Sequence, residues 1–175
     1  LGFDFDSVVT ALSNSVAVKG RAEVVPTNRD FTVIIDYAHT PDGIENILST
    51  MREIKTGRLV ALFGCGGDRD RTKRPKMAAS AASLADYVIV TSDNPRSEDP
   101  QKIIDDVLVG LEGLDVPYDV ILNRAEAIHF AIKNAKPDDL IVLMGKGHET
   151  YQILANETIH FDEREVVRDA LASLN

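Results

Sequence analysis

Five consecutive residues, Ser92-Asp93-Asn94-Pro95-Arg96, put a carboxylate, an amide and an arginine on one short loop. An apolar run ending at Thr91 precedes them, and Asp99-Pro100, a helix-start signal, follows. In an open α/β sheet, the carboxyl end of a strand is where ligands bind. Taken alone, Asp-Asn-Pro is also ordinary turn chemistry. Three more polar loops favour a binding site: Asp36-Tyr37-Ala38-His39-Thr40-Pro41-Asp42, Gly64 to Arg74, and Gly145-Lys146-Gly147-His148-Glu149. Each follows an apolar run of strand length. Arg69 and Arg96 can each grip a carboxylate or phosphate through two parallel hydrogen bonds. Glycines let backbone N–H groups approach an anion. Asp93 and Glu149 can take an ammonium. Arginine forks and carboxylates on one rim suit a zwitterion, an amino acid.

The elements that must position these loops read as follows. Residues 31–37, 58–63, 86–91 and 139–144 are continuous apolar runs rich in β-branched residues, the pattern of strands buried on both faces of a parallel sheet. Residues 118–122 form another strand. Helices alternate with them. Thr40 and Pro41 start one whose stripe is Ile44, Ile47, Leu48, Met51 and Ile54. An alanine-rich helix runs to Leu84 with Pro75 in its first turn. Helices from Pro100 and over 124–135 follow, with His129 beside the inward stripe of the second. Tyr151–Leu154 and Glu157–Phe161 read as a hairpin with His160 on its surface, and Asp162 with Glu165 as a capping box for a helix through Leu174. Residues 4–14 are weakly helical, and a short strand follows Gly20. The expected fold is α/β: a Rossmann-like, doubly wound, mostly parallel sheet with a terminal antiparallel hairpin. Right-handed crossovers then bring all four loops to one edge.

Composition narrows the partners. The net charge of -9 argues against nucleic acid and anionic membranes, while the basic cluster Arg69 to Lys76 points to a small anionic ligand. No apolar run is long enough to span a membrane. Cys65 is the one cysteine, which fits a reducing cytoplasm, and it has no His-Asp partner pattern. The chain starts at Leu1 without Met, so an excised piece of a longer protein is expected, with a boundary near residue 20. A monomer is expected.

Motif tests for other chemistries fail. Gly64-Cys65-Gly66-Gly67-Asp68-Arg69 starts like a dinucleotide fingerprint but has Arg at the third glycine. No phosphate loop and no zinc spacing occur. A stand-alone dinucleotide- or amino-acid-binding module is the alternative class.

With these residues together, the chain resembles the carboxyl-terminal domain of the Mur ligases, and among them the diaminopimelate-adding type. Asp36 to Asp42, Gly64 to Arg69, Lys73-Arg74-Pro75, Asp93 to Arg96 and Gly145 to Glu149 resemble the family's motifs in order, covering residues 16–175. The resemblance implies that Arg69, Asp93, Asn94, Pro95, Arg96, Gly145 and Glu149 bind meso-diaminopimelate. It implies ATP contacts for Arg21, Asp36 and His39, with no catalytic and no metal-ligating residue in this stretch. Folylpolyglutamate and cyanophycin ligases are related, but Asp93-Asn94-Pro95-Arg96 speaks against them. The implied reaction is ATP-dependent amide formation in peptidoglycan synthesis. ATP phosphorylates the γ-carboxylate of UDP-N-acetylmuramoyl-L-alanyl-D-glutamate, and the diaminopimelate amine displaces the phosphate, with Mg2+ on the phosphates. The family's phosphate loop and magnesium ligands do not occur here. Residues 1–20 resemble the tail of the ATP-binding domain and 21–175 the acceptor domain, which is not expected to catalyse alone.

Overall fold

The computed structural model describes residues 2–13 and 18–174. Helix α1 spans Phe5–Ser13, and strand β1 is Glu23–Val25. The units β2 (Thr32–Asp36), α2 (Pro41–Ile54), β3 (Leu59–Cys65), α3 (Lys73–Leu84), β4 (Tyr87–Ser92) and α4 (Pro100–Leu108) alternate, and a 3-10 turn closes α4. Then come β5 (Tyr118–Ile121), α5 (Arg124–Lys133), β6 (Leu140–Met144), the hairpin β7 (Tyr151–Ile153) and β8 (Thr158–His160), and α6 (Glu163–Ala172). The main sheet has the order β1-β2-β6-β3-β4-β5. Strands β2, β6, β3, β4 and β5 are parallel, and β1 runs antiparallel to β2 at the edge.

The continuous apolar runs arise because both faces of the sheet are covered. Ile34, Ala61, Phe63, Val88, Val90 and Val142 face α2, α3 and α4. Their sequence neighbours Val33, Ile35, Leu62, Ile89, Ile141 and Leu143 face α5 and α6. Every residue of β3 and of β6 is buried. Strand β5 instead alternates in exposure, as an edge strand does. The expected doubly wound sheet with a terminal hairpin is what forms.

The weak helix expected over 4–14 forms as α1, and none of its residues is buried. The part of that reading at Asn14 lies outside the described residues. One detail differs from the sequence reading. The capping box at α6 does not close: the Asp162 carboxylate caps Arg164 N, while the Glu165 carboxylate is taken by His160. The hairpin forms a two-stranded sheet of its own. The N-cap at Thr40 forms as expected, its hydroxyl accepting from Gly43 N at 3.1 Å.

Candidate functional site

All four polar loops meet at the carboxyl ends of the parallel strands. They enclose a cleft of about 460 Å³ whose lining includes Tyr37, His39, Gly64, Cys65, Gly66, Arg69, Asp70, Lys73, Arg74, Asp93, Asn94, Arg96, Gly145 and Glu149. Of the residues singled out from sequence, His39, Arg69, Asp93, Asn94, Arg96, Gly145 and Glu149 line it. Pro95, Arg21 and Asp36 do not. Pro95 is buried behind the loop. Arg21 is exposed, its guanidinium 4.9 Å from the centre of the Tyr37 ring. Asp36 is buried with both oxygens in use, accepting from Ala22 N (2.8 Å) and Ala38 N (2.7 Å).

The lining carries both charges. Its cations include Arg69, Lys73 and Arg96. Among the described residues none of these three has a carboxylate within ion-pair distance. Arg69 uses Nη1 on Asp68 O at 2.9 Å. Arg96 uses Nη1 on Gly67 O (2.9 Å) and Asn94 O (3.3 Å), which leaves Nε and Nη2 unbonded. Arg96 also adopts φ +52°, an uncommon conformation for a residue with a side chain, and its amide donates to Ile153 O. Two other members of the basic cluster are neutralised. Arg74 is buried and held by Glu98 (2.8 Å) and Asp106 (2.8 Å), and Arg71 pairs with Asp106. Only part of the cluster read from sequence therefore serves the cleft.

Asp93 and Glu149 form an acidic wall, and Asn94, next to Asp93 in the chain, donates its amide to Glu149 Oε2 at 3.0 Å. Beneath them lies Lys146, fully buried, its ammonium 3.0 Å from Asn94 Oδ1, 3.2 Å from Asp93 Oδ1 and 3.4 Å from Glu149 Oε2. Deeper still, the fully buried Arg124 ties three elements together. It donates to Ser92 O, to Met144 O and to the buried Glu163 (2.8 Å). Burial pushes the Glu163 carboxyl up, and Arg124 opposes that shift.

The glycines of the 64–67 segment serve loop docking rather than an open anion nest. Gly64 is the penultimate residue of β3, pressed on the backbone of Thr91 and Ser92. A Cβ at Gly67 would sit 1.9 Å from Pro95 O, and its N–H already bonds Asn94 O at 2.9 Å. This packing leaves no dinucleotide turn at Gly64–Arg69, which counts against the dinucleotide alternative. Cys65 lines the cleft but is buried, and that burial pushes its thiol up to about 12, so it offers no thiolate at neutral pH.

Sequence reading missed Lys146, Arg124 and Glu163. A signal for Arg124 existed: it is the first residue of α5, where the helix dipole disfavours a cation. An arginine kept there has a partner elsewhere. Glu163 carries no comparable signal, because an acid in a first helical turn is ordinary.

A sequence model of the family described as Mur ligase, glutamate ligase domain, matches residues 20–147. The chain belongs to this family. Several curated relatives of this Mur ligase domain are named UDP-N-acetylmuramoyl-L-alanyl-D-glutamate–2,6-diaminopimelate ligase. That of Caldanaerobacter subterraneus subsp. tengcongensis is 55% identical over 98% of this chain and 36% of its own length. Those of Bacillus cereus and Trichormus variabilis are 50% and 54% identical over 34% and 35% of their lengths. The Mur ligase domain thus spans about a third of the relatives it matches. A solved ligase of the same name superposes with a TM-score of 0.84 at 39% identity, over 99% of this chain and 35% of that one. A murein peptide ligase from Psychrobacter arcticus (TM-score 0.63, 22% identity) shares the fold.

Proposed function

We propose that this chain is the acceptor domain of a longer ATP-dependent ligase, and that its cleft binds meso-diaminopimelate for amide formation with UDP-N-acetylmuramoyl-L-alanyl-D-glutamate. One observation carries the reading: Arg69, Lys73 and Arg96, none within ion-pair distance of a carboxylate among the described residues, line the same cleft as Asp93 and Glu149. A diamino dicarboxylate matches both charges. Its carboxylates suit Arg96 Nε and Nη2 and the Arg69 fork, where bidentate geometry is strong. An ammonium suits Glu149, whose Oε1 carries no hydrogen bond while Oε2 is held from behind.

The same chemistry supports selection against lysine, which is diaminopimelate without its second carboxylate. Lysine would leave a partly desolvated arginine unpaired, and sites built around such a partner reject the analogue lacking it by roughly 10⁴-fold. Asn94 belongs to the scaffold of the acidic wall, since both ends of its amide are engaged within the protein.

Nucleotide contact is proposed for the rim formed by Arg21, Tyr37, His39 and His148. Tyr37 lies 4.7 Å from His39 and 5.0 Å from His148, ring centre to ring centre. Asp36 supports that rim by fixing the backbone of Ala22 and Ala38. Among the described residues no group of three His, Cys, Asp or Glu converges as metal ligands.

The test is a calorimetric titration of the chain with meso-diaminopimelate and, separately, L-lysine, with amide shifts followed by NMR. Saturable binding of the first alone, with shifts at Arg69, Arg96 and Glu149, is the expected result. Equal binding of both would mean that the second carboxylate is not read here.

A further inference from the structure

Lys146 carries no role in anything derived above, yet its surroundings are unusual. Lysine is almost never fully buried unless paired, and Lys146 is 0% exposed. It does not line the cleft. Its ammonium is 2.8 Å from Tyr151 O, 3.0 Å from Asn94 Oδ1, 3.2 Å from Asp93 Oδ1 and 3.4 Å from Glu149 Oε2. The rings of Tyr151 and Phe161 lie 5.9 and 5.8 Å away. One oxygen each of Asp93, Asn94 and Glu149 therefore converges on one cation behind the acidic wall. Asn94 closes the circuit, accepting from Lys146 and from Ile153 N (2.9 Å) while donating to Glu149 Oε2. Glu149 has one oxygen fixed by these partners and one free.

We propose that Lys146 is the positioning residue of the acidic wall: its ammonium orients the Glu149 carboxylate for the ligand's ammonium and fixes the preference for an amine-bearing ligand. The proposal rests on the acceptor reading above. The physical reason is twofold. Asp93 and Glu149 are like charges in one partly desolvated wall, and a buried opposite charge between them removes their repulsion. A carboxylate tethered through one oxygen also loses little freedom when a ligand takes the other. The wall is anchored to β7 through Tyr151 O and Ile153 N, so the hairpin sets its position.

The probes are meso-diaminopimelate and heptanedioate, which has the same chain and both carboxylates but no amine. Calorimetry compares the unsubstituted chain with Lys146→Met, Glu149→Gln and the double variant. The expected result is that Lys146→Met weakens meso-diaminopimelate binding by about tenfold or more, the scale of one charge-assisted hydrogen bond. Heptanedioate binding stays within about twofold, and the double variant is no weaker than Glu149→Gln alone, as groups acting through one another require. Equal loss of both ligands marks a general packing role and overturns the proposal, as does no loss of either. If Lys146→Met does not fold, the ¹⁵N resonance of the Lys146 ammonium in the unsubstituted chain decides. A shift with meso-diaminopimelate and none with heptanedioate supports the proposal, and no response to meso-diaminopimelate overturns it. Failure of the acceptor reading is seen separately, before any substitution: the unsubstituted chain then binds meso-diaminopimelate no better than heptanedioate, which overturns both.

Discussion

In the proposed reading, Arg96 is the residue on which ligand choice turns. Half of its guanidinium is spent on Gly67 O and Asn94 O, and the other half is open. Arg96→Ala is expected to weaken meso-diaminopimelate binding by about 10- to 100-fold, from the loss of a charge-assisted pair worth roughly 1.5–3 kcal/mol. In the longer ligase the KM for ATP should stay nearly unchanged, and an equal loss for both substrates would sink the assignment. Arg74 and Glu98 illustrate a different use of charge. Arg74 is buried, and its guanidinium beside Glu98 holds that carboxyl down at about 2. A depressed carboxylate stabilises the fold above its unfolded pKa, and that contribution is lost as pH falls through the folded value. For Glu98 the window runs from the ordinary glutamate value of 4.5 down to about 2. Glu98→Gln should therefore lower Tm at pH 7 and make the acid limb of a Tm–pH profile shallower in that window. Glu98 is partly exposed and solvent screens it, so the loss at pH 7 should be only about 1–2 kcal/mol, roughly 3–6 °C. A profile of unchanged slope would show that the pair does not govern acid stability.

At the level of elements, the site depends on loops lying directly on one another. The turn after β3 and the loop after β4 share the Gly67 N to Asn94 O hydrogen bond, and nothing larger than glycine fits against Pro95 O. Gly67→Ala must push the 93–96 loop away and carry Arg96 with it. The expected cost is about 1–3 kcal/mol, typical of overpacking, together with weakened meso-diaminopimelate binding. Retained affinity with lowered Tm would mean that the loop moves without its arginine. The helices contribute little ligand chemistry of their own. Helix α2 is capped by Thr40 and α4 by Asp99, and both start with proline, so their first turns are fixed by local sequence. Helix α5 instead donates Arg124 inward, joining β4, β6 and α6 under the cleft floor.

For the whole molecule, residues 18–22 form a tight junction with the 145–149 loop. Gly20 lies so close to the Gly147 backbone that a Cβ would meet it at 2.2 Å. Arg164 reaches from α6 to Glu23 at 2.9 Å and to Gly147 O at 3.1 Å, and Glu23 in turn accepts from Gly20 N at 2.6 Å. The segment leading into the sheet and the 145–149 loop are therefore tied to each other through Arg164 and Glu23. Arg164→Ala should free that junction and raise protease cleavage within residues 18–22, while amides in β2, β3 and β6 keep their hydrogen-exchange protection. Loss of protection across the sheet would mean that Arg164 supports the core instead.

The sequence by itself determined much of this protein. Apolar runs at 31–37, 58–63, 86–91 and 139–144 have no alternation, and only strands covered on both faces tolerate that, which set the parallel sheet. Thr40-Pro41 and Asp99-Pro100 set helix starts through local hydrogen bonding alone. Topology then brought four loops to one edge, so most cleft residues were legible before any coordinates. What was not legible depends on distance across the fold. Whether a charge is free or spent is decided by partners far along the chain: Arg74 meets Glu98 and Asp106, Arg124 meets Glu163, and Lys146 meets Asp93 and Asn94. Nothing in Gly145-Lys146-Gly147 tells which way the lysine points. Helix α1 forms where the spacing expects it, yet none of its residues is buried, because burial is a property of neighbours and not of spacing. Local sequence fixed the elements through short-range sterics and periodicity, whereas the tertiary structure alone decided which charges remained for a ligand.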